Sequence, residues 1–161
     1  MKLLKDILYK AGLAEVLGST NLAIASVCFD SRKAEKDALF VAVRGTKTDG
    51  HKFIDTVIDA GVVAVICEEF PEFLKEEITY VKVKDASAAL AIIASNFYDE
   101  PSSKLKLVGV TGTNGKTTTV TLLFNLFRTL GYNVGLLSTV KNQINNDVIP
   151  ARQRRMLCLL R

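Results

Sequence analysis

The segment that most constrains the fold of this chain is a glycine-rich stretch, VGVTGTNGKTTTV, at residues 108–120. The apolar run KLKLVGV is typical of a buried strand, and apolar residues recur at helical spacing after the stretch, over 120–130. A strand, a glycine loop and a helix in this order are the context that a phosphate-binding loop requires. The segment therefore predicts a nucleotide-binding unit of the α/β class.

Each residue type in this loop suits a phosphate group. Glycines at 112 and 115 allow backbone N–H groups to approach phosphate oxygens, and the helix N-terminus adds unpaired N–H groups and the positive end of its dipole. We expect Lys116 to reach the β- and γ-phosphates and the Thr117 hydroxyl to ligate Mg²⁺. Thr118 either hydrogen-bonds an adjacent phosphate or caps the helix.

The loop departs from the general pattern G-x-x-x-x-G-K-[ST]. The position of its first glycine is occupied by Val110, while Gly109 comes one residue earlier and Gly112 lies inside the loop. The matching part is the shorter form GTNGKTT. The alternative interpretation is a plain glycine turn between a strand and a helix, with Lys116 solvated.

Composition and charge indicate a globular chain. With 161 residues and 48% hydrophobic content, it can form one domain, or one small domain and part of another. The net charge of +4 comes from four arginines in the last ten residues, so the remainder is balanced and offers no basic face for nucleic acid. No signal peptide or membrane span is predicted, and the cytoplasm is the expected location. The three cysteines have neither metal nor redox spacing.

The first hundred residues alternate strand and helix patterns. Strands are predicted at IASVCF, ALFVAV, VVAVICE and YVKVKD, with helices near the N-terminus, in DGHKFIDTVIDAG and over 86–98. This order favours an α/β fold, and DEPSSKLK has the composition of a linker. We therefore predict a first domain at 1–84, a helix and linker at 85–103, the start of a second domain at 104–151 and an atypical basic tail at 152–161.

Two sets of motifs together resemble the Mur ligase family, cytoplasmic ATP-dependent enzymes that form amide bonds in the peptidoglycan stem peptide. VGVTGTNGKTTT resembles the family's ATP loop, whereas related folate enzymes usually continue GTNGK with Gly-Ser. The segment FDSRKAEKDALFVAVRGTKTDGHKFIDTVIDAGVVAVICE resembles the uridine-nucleotide-binding domain of the tripeptide-forming members. The resemblance covers residues 22–151 and rests on the spaced motifs D-S-R, L-F-V-A and D-G-H-x-F-I.

The resemblance implies a small N-terminal α/β uridine-nucleotide-binding domain followed by the start of a P-loop ATPase domain with a parallel sheet. The implied substrate-binding residues are Phe29, Ser31, Thr46, Lys47 and Thr48, with Ser31 hydrogen-bonding the nucleotide. The implied ATP-binding residues are Gly112, Thr113, Asn114, Gly115, Lys116, Thr117 and Thr118. Lys116 is the implied catalytic residue and Thr117 the implied Mg²⁺ ligand.

Residues next to the implied uridine site have local interpretations. Asp30 and Arg32 are predicted to form a turn and an ion pair that fix their loop, rather than to contact a ligand. Asp49 and Gly50 are predicted to form a turn and a helix cap. His51, the only histidine, is interpreted as a capping or solvated residue, with catalysis as the alternative.

The resemblance also implies a reaction. In the family, ATP phosphorylates the free carboxylate of UDP-N-acetylmuramoyl-L-alanyl-D-glutamate, and the amine of meso-diaminopimelate or L-lysine then attacks the acyl phosphate. Lys116 would stabilise the transferring phosphoryl group. The domain that selects the amino acid would lie beyond residue 161, so the chain alone is expected to be inactive. The alternatives are a nucleotide or UDP-sugar binding module, and another P-loop enzyme with further acidic metal ligands, for which Asp147 is poor support.

The ending RQRRMLCLLR departs from the Thr-Thr-Pro-like context that the family usually presents. Codons for 152–158 can spell Thr-Thr-Pro-Asp-Ala-Leu in another frame, so out-of-frame translation of a truncated ligase is one explanation and a genuine basic tail is the other. With about two strands and one helix expected over 104–151, we predict open sheet edges and exposed apolar surface. The second domain is then expected to be loose, self-associated through its exposed sheet edge, or partly disordered.

Overall fold

The chain folds as two units. A computed structural model describes residues 1–45, 48–149 and 157–160. Contacts divide the chain into a first unit, Met1–Glu100, and a second unit, Pro101–Arg161. Across the described residues, no helix combines the length and the apolar character that crossing a membrane requires.

The first unit contains a mostly parallel five-stranded sheet. Its strands are β2 (Leu13–Leu17), β4 (Ser26–Cys28), β5 (Ala38–Val41), β6 (Ala64–Cys67) and β7 (Thr79–Val83). The order is β2-β7-β6-β5-β4, in which β4 to β7 run parallel and β2 pairs antiparallel with β7. Three helices accompany it, α1 (Leu4–Ile7), α2 (Ile54–Asp59) and α3 (Ala86–Phe97), and the short strands β1 (Lys2–Leu3) and β3 (Ala23–Ile24) pair with each other.

The central strands of this sheet are buried on both faces. In β5, Leu39 and Val41 pack in the core that contains α1 and α3, whereas Ala38 and Phe40 pack in the core that contains α2. Side chains of a strand alternate between its two faces, and helices cover both faces here. This double burial explains why the sequences of β5 and β6 are continuous apolar runs.

The predicted strands β4 to β7 and the three helices are confirmed, but the prediction missed β2. The sequence of β2, LAEVL, contains a glutamate and shows no clear alternation. Its position at the sheet edge leaves several of its side chains exposed, which weakens the pattern that identifies a strand.

Helix α3 belongs to the first unit rather than to a linker. Its side chains Ala86, Ala89 and Ile93 are buried in the core with α1. Near its end, Asn96 Nδ2 donates hydrogen bonds to the carbonyl oxygens of Ile7, at 2.9 Å, and Tyr9, at 2.7 Å. These contacts move the end of the first unit from the predicted residue 84 to Glu100.

In the described part of the second unit, a helix packs on a five-stranded sheet. Its elements are β8 (Lys106–Gly109), α4 (Lys116–Thr129), β9 (Val134–Leu137), β10 (Asn142–Ile144), β11 (Asp147–Ile149) and β12 (Leu157–Leu160). The strand order is β11-β10-β9-β12-β8. Strands β8 and β9 run in the same direction, but β12 lies between them and is antiparallel to both. Among the side chains that the structure describes in this unit, Val120, Phe124, Val134 and Leu136 form a buried cluster.

The prediction of two strands over 104–151 is wrong, because β10 and β11 add a hairpin. Ile144 pairs with Asp147, so the hairpin is closed by the two residues Asn145 and Asn146. Asn145 has φ 49°, the left-handed conformation that asparagine tolerates well in such turns. The Asn-Asn pair was therefore a turn signal that the sequence analysis did not use.

The expected apolar surface on the second unit is confirmed. Large apolar side chains are exposed along α4, on β8 and in the β9–β10–β11 region. They include Leu107, Leu122, Leu126, Leu130, Val140, Ile144 and Val148.

Candidate functional sites

The glycine loop of the second unit joins β8 to α4 and requires glycine at two positions. Gly115 is the N-cap of α4 with φ 77°, and Gly112 has φ 147°. Both values lie where side-chain-bearing residues are strained. A Cβ atom at Gly115 would meet no atom within 4 Å, and one at Gly112 would meet only the Asn114 carbonyl oxygen at 3.7 Å. The glycines therefore serve backbone conformation and leave open space beside the loop.

The side chain of Lys116 folds over this loop. Its Nζ donates to the carbonyl oxygen of Gly112 and, at 3.2 Å, to that of Thr113. Helix α4 begins at Lys116, and no side chain caps its N-terminus. The Lys116 ammonium group and the positive end of the helix dipole therefore lie at the same end of the loop. Thr118 lies within the first turn and is not the N-cap, so its predicted capping role is wrong.

The loop fits a polyphosphate group. Residues 111–115 are exposed, the glycine backbone leaves space, and the local charge is positive. Thr117 lies in the first turn of α4, where a hydroxyl suits a magnesium ion that is also held by phosphate oxygens. No group of three or more His, Cys, Asp or Glu side chains that could hold a metal occurs in the part of the chain that the structure describes.

Three of the predicted uridine residues follow the carboxyl ends of two adjacent strands of the first sheet. Phe29 and Ser31 follow β4, and Thr48 follows β5, the adjacent parallel strand. Carboxyl ends of parallel strands form the usual binding edge of an α/β domain. Phe29 is 64% exposed, Ser31 is half-buried and Thr48 is exposed, so all three are accessible. Thr46 and Lys47 lie outside the described residues.

The Asp30–Arg32 pair fixes the backbone between Phe29 and Ser31. Arg32 donates to the Asp30 carboxylate from Nε at 2.9 Å, from Nη2 at 2.7 Å and from its backbone N–H at 3.2 Å. These side-chain and backbone hydrogen bonds lower the pKa of Asp30 from 3.8 to about 2. The predicted turn and ion pair are confirmed, and both residues act within the protein.

Asp49 and His51 form a second local network. The Asp49 carboxylate accepts from the His51 backbone N–H at 3.0 Å and from His51 Nδ1 at 2.7 Å. The backbone hydrogen bond, followed by that from the ring, lowers the pKa of Asp49. His51 Nε2 accepts from the Glu68 backbone N–H at 2.9 Å. Asp49 is therefore a cap, as predicted. Both ring nitrogens of His51 form hydrogen bonds within the protein, which argues against a role for His51 as a general base.

Arg44 and Glu68 lie in the same network and were not predicted from the sequence. Arg44 Nε is 3.3 Å from Glu68 Oε2 and 3.8 Å from Asp49 Oδ2, and its Nη2 is 2.7 Å from Glu69 Oε1. Arg44 and Glu68 lie just beyond the carboxyl ends of β5 and β6, which are neighbours. Their positions after two adjacent parallel strands were the signal that could have identified them.

Two family models match consecutive segments of the chain. The model described as Mur ligase family, catalytic domain, matches residues 23–98, and the one described as Mur ligase middle domain matches residues 110–156. The two segments cover about three quarters of the chain. This chain belongs to the Mur ligase family. The junction between the two units, after Glu100, lies between the matched segments.

A curated Mur ligase is similar over most of the chain. It is UDP-N-acetylmuramoyl-L-alanyl-D-glutamate--2,6-diaminopimelate ligase from Cytophaga hutchinsonii, 59% identical over 149 residues. The match covers 92% of this chain and 31% of the relative, so the chain spans about a third of that relative's length.

Solved Mur ligase structures share the fold. A structure of a UDP-N-acetylmuramoyl-L-alanyl-D-glutamate--2,6-diaminopimelate ligase superimposes with a TM-score of 0.65 at 21% identity, over 89% of this chain and 29% of the other. The MurF ligase from Thermotoga maritima, solved in complex with ADP, has a TM-score of 0.50 at 31% identity, over 65% of this chain and 23% of the other.

The two candidate sites fall in different parts of this Mur ligase chain. Phe29, Ser31 and Thr48 lie within the segment matched by the catalytic domain model. The glycine loop at 112–118 lies within the segment matched by the middle domain model.

Proposed function

We propose that this chain supplies the uridine-nucleotide-binding domain and the ATP loop of a peptidoglycan precursor ligase. The observation that carries the proposal is the 59% identity to a diaminopimelate ligase over a stretch that includes both sets of loops. The proposed reaction joins a diamino acid to UDP-N-acetylmuramoyl-L-alanyl-D-glutamate in the cytoplasm, with ATP and Mg²⁺. The name of that relative favours diaminopimelate over L-lysine as the diamino acid.

In the first unit, the proposed ligand is the uridine end of the precursor. Phe29 offers an exposed aromatic ring and Ser31 a hydroxyl at the same sheet edge. Thr46, Lys47 and Thr48 belong to the adjacent loop and are proposed to line the same site. The Asp30–Arg32 pair supports this arrangement because it fixes the backbone on either side of Asp30.

In the second unit, the proposed ligand is ATP, held by residues 112–118. The Lys116 ammonium group, now bonded to loop carbonyls, would instead neutralise charge on the transferring phosphoryl group. Thr117 would contribute its hydroxyl to Mg²⁺. The phosphoryl group goes to the precursor carboxylate, and the amine of the diamino acid then displaces phosphate to form the amide bond.

We further propose that the second unit self-associates. Leu122, Leu126 and Leu130 are each more than half exposed and are spaced four residues apart along α4, so they lie on one face of the helix. Size-exclusion chromatography with light scattering is expected to show concentration-dependent dimers. Replacing the three leucines by glutamine should give a monomer. If the chain without substitutions is monomeric at all concentrations, the proposal is contradicted.

Calorimetric titration of the chain tests both ligands separately. ATP with Mg²⁺ should bind, and Lys116→Ala should weaken this binding at least about tenfold because it removes a charge-assisted contact. Lys106→Ala is the matched control, an exposed lysine on β8.

The UDP precursor should also bind, and Ser31→Ala should weaken it, whereas Ser87→Ala on the exposed side of α3 should not. Binding of the UDP precursor without ATP binding would support the alternative of a binding module without turnover.

A further inference from the structure

The loop that carries Thr48 is closed at a narrow neck, formed by residues 44–45 and 48–50. Arg44 and Asp49 form an antiparallel bridge across it. The Gly45 N–H donates to the Thr48 carbonyl at 3.0 Å, and the Gly50 N–H donates to the Val43 carbonyl at 2.9 Å. The backbones are so close that a Cβ atom at Gly50 would lie 2.8 Å from the nitrogen and the carbonyl oxygen of Val43.

His51 connects this neck to the end of β6. Its Nδ1 donates to Asp49 Oδ1 at 2.7 Å, on the neck, and its Nε2 accepts from the Glu68 N–H at 2.9 Å, just after β6. This pair of bonds requires the neutral ring with its proton on Nδ1. The His51 side chain is 14% exposed, so solvent competes little for either bond.

Glu68 extends the connection to α3. Its Oε1 accepts from the Ala86 N–H at 3.0 Å, at the first residue of that helix. Arg44 adds ionic contacts from the neck to Glu68 and Glu69, but its side chain is 46% exposed and such surface pairs contribute little. The His51 ring is therefore the mostly buried side chain that joins the neck to the end of β6 by directional hydrogen bonds.

We propose that His51 is a positioning residue for uridine-nucleotide binding, a role that rests on the proposed function of the first unit. It holds the neck against β6 and so presents Thr48 at the sheet edge shared with Ser31. The ring does not touch the ligand. Its contribution is to fix the neck before binding, so that less conformational freedom of the neck is lost when the nucleotide arrives.

The test compares three variants of the full chain by calorimetry with UDP as the probe. His51→Ala removes both bonds and should weaken UDP binding about tenfold or more. In His51→Gln, the side-chain oxygen can accept from the Glu68 N–H, so affinity should recover in part. Lys52→Ala, an exposed neighbour in the same turn, is the matched control and should bind UDP like the unchanged chain.

Amide hydrogen exchange separates positioning from general destabilisation. In His51→Ala, the Gly45 and Gly50 amides of the neck should exchange faster, while the amides of β5 and β6 stay protected. His51→Gln provides the same comparison if the alanine variant does not fold. Unchanged UDP affinity in folded His51 variants would overturn the inference. An equal loss of amide protection in the neck and in β5 and β6 would overturn it as well. Absence of UDP binding by the unchanged chain would instead overturn the proposed function and this inference with it.

Discussion

At the residue scale, short side chains fix the loops of the first unit through contacts with near neighbours in the sequence. Asp30 caps the turn that begins at Ser31, and Asp49 caps the turn that begins at Gly50. Both caps follow from aspartate's ability to accept a backbone N–H two residues later. The sequence predicted the turn at Asp30 and the cap at Asp49, but the partner of the His51 Nε2 atom could not be predicted because Glu68 is distant along the chain.

The Asp30 carboxylate should titrate with a midpoint near pH 2. Hydrogen bonds from Arg32 lower its pKa from 3.8 to about 2, so the interaction stabilises the folded loop above ~pH 4 and is lost as the pH falls towards 2. NMR titration of the side-chain carboxyl carbon measures this midpoint. Arg32→Gln should return the midpoint towards 3.8. A midpoint near 3.8 in the unchanged chain would contradict the ion pair.

The Cys28 and Cys67 thiols should react slowly in the folded chain. The pKa of each thiol is raised to about 11, mainly by burial, and for Cys28 the charges of Glu35 and Asp30 contribute to that rise. The reactive species is the thiolate, so at pH 8 both should be alkylated by iodoacetamide far more slowly than in urea. Peptide mass spectrometry reads the two sites separately. Rapid alkylation of either thiol in the folded chain would show that its burial is wrong.

At the element scale, patterns with two buried faces or a strong period were predictable, and short edge elements were not. The apolar runs of β5 and β6 and the glycine loop before α4 identified their elements directly. Strand β2 was missed because an edge strand exposes part of its pattern. The β10–β11 hairpin was missed because its strands are three residues long, so only the Asn-Asn turn could have indicated it.

Phe124 should carry much of the packing of α4. Its ring is buried against Val134 and Leu136, so Phe124→Ala should destabilise the second unit by about 3–5 kcal/mol through lost contacts and a cavity. Asn125→Ala shortens an exposed side chain on the same helix and should change stability by about 0.5 kcal/mol or less. Urea titration, monitored by the amide exchange of residues 120–130, measures the stability change of each variant. Equal effects of the two substitutions would contradict the assigned buried face.

At the scale of the whole molecule, the cores differ between the two units as far as the structure describes them. The first unit has two large buried clusters, one on each face of its sheet, whereas the described side chains of the second unit include one cluster of four buried residues. The alternation of elements predicted the α/β class, and the linker composition near 99–106 predicted two parts. The end of the first unit was less predictable, because only the tertiary contacts of α3 show that it packs with α1.

The second unit should therefore unfold before the first. Buried apolar area is the main source of stability, and the smaller core supplies less of it. Urea titration monitored by residue-resolved NMR should show loss of α4 signals at a lower urea concentration than loss of β5 and β6 signals. A single transition shared by both units would contradict this expectation.

We propose that this one chain carries a uridine-nucleotide site in its first unit and an ATP site in its second. The most direct measurement is an amide NMR titration with UDP-N-acetylmuramoyl-L-alanyl-D-glutamate and then with ATP and Mg²⁺. We expect saturable shifts at 29–31 and 44–51 for the first ligand and at 110–118 for the second. If neither ligand causes saturable shifts at its loop, the proposal of two nucleotide sites is contradicted.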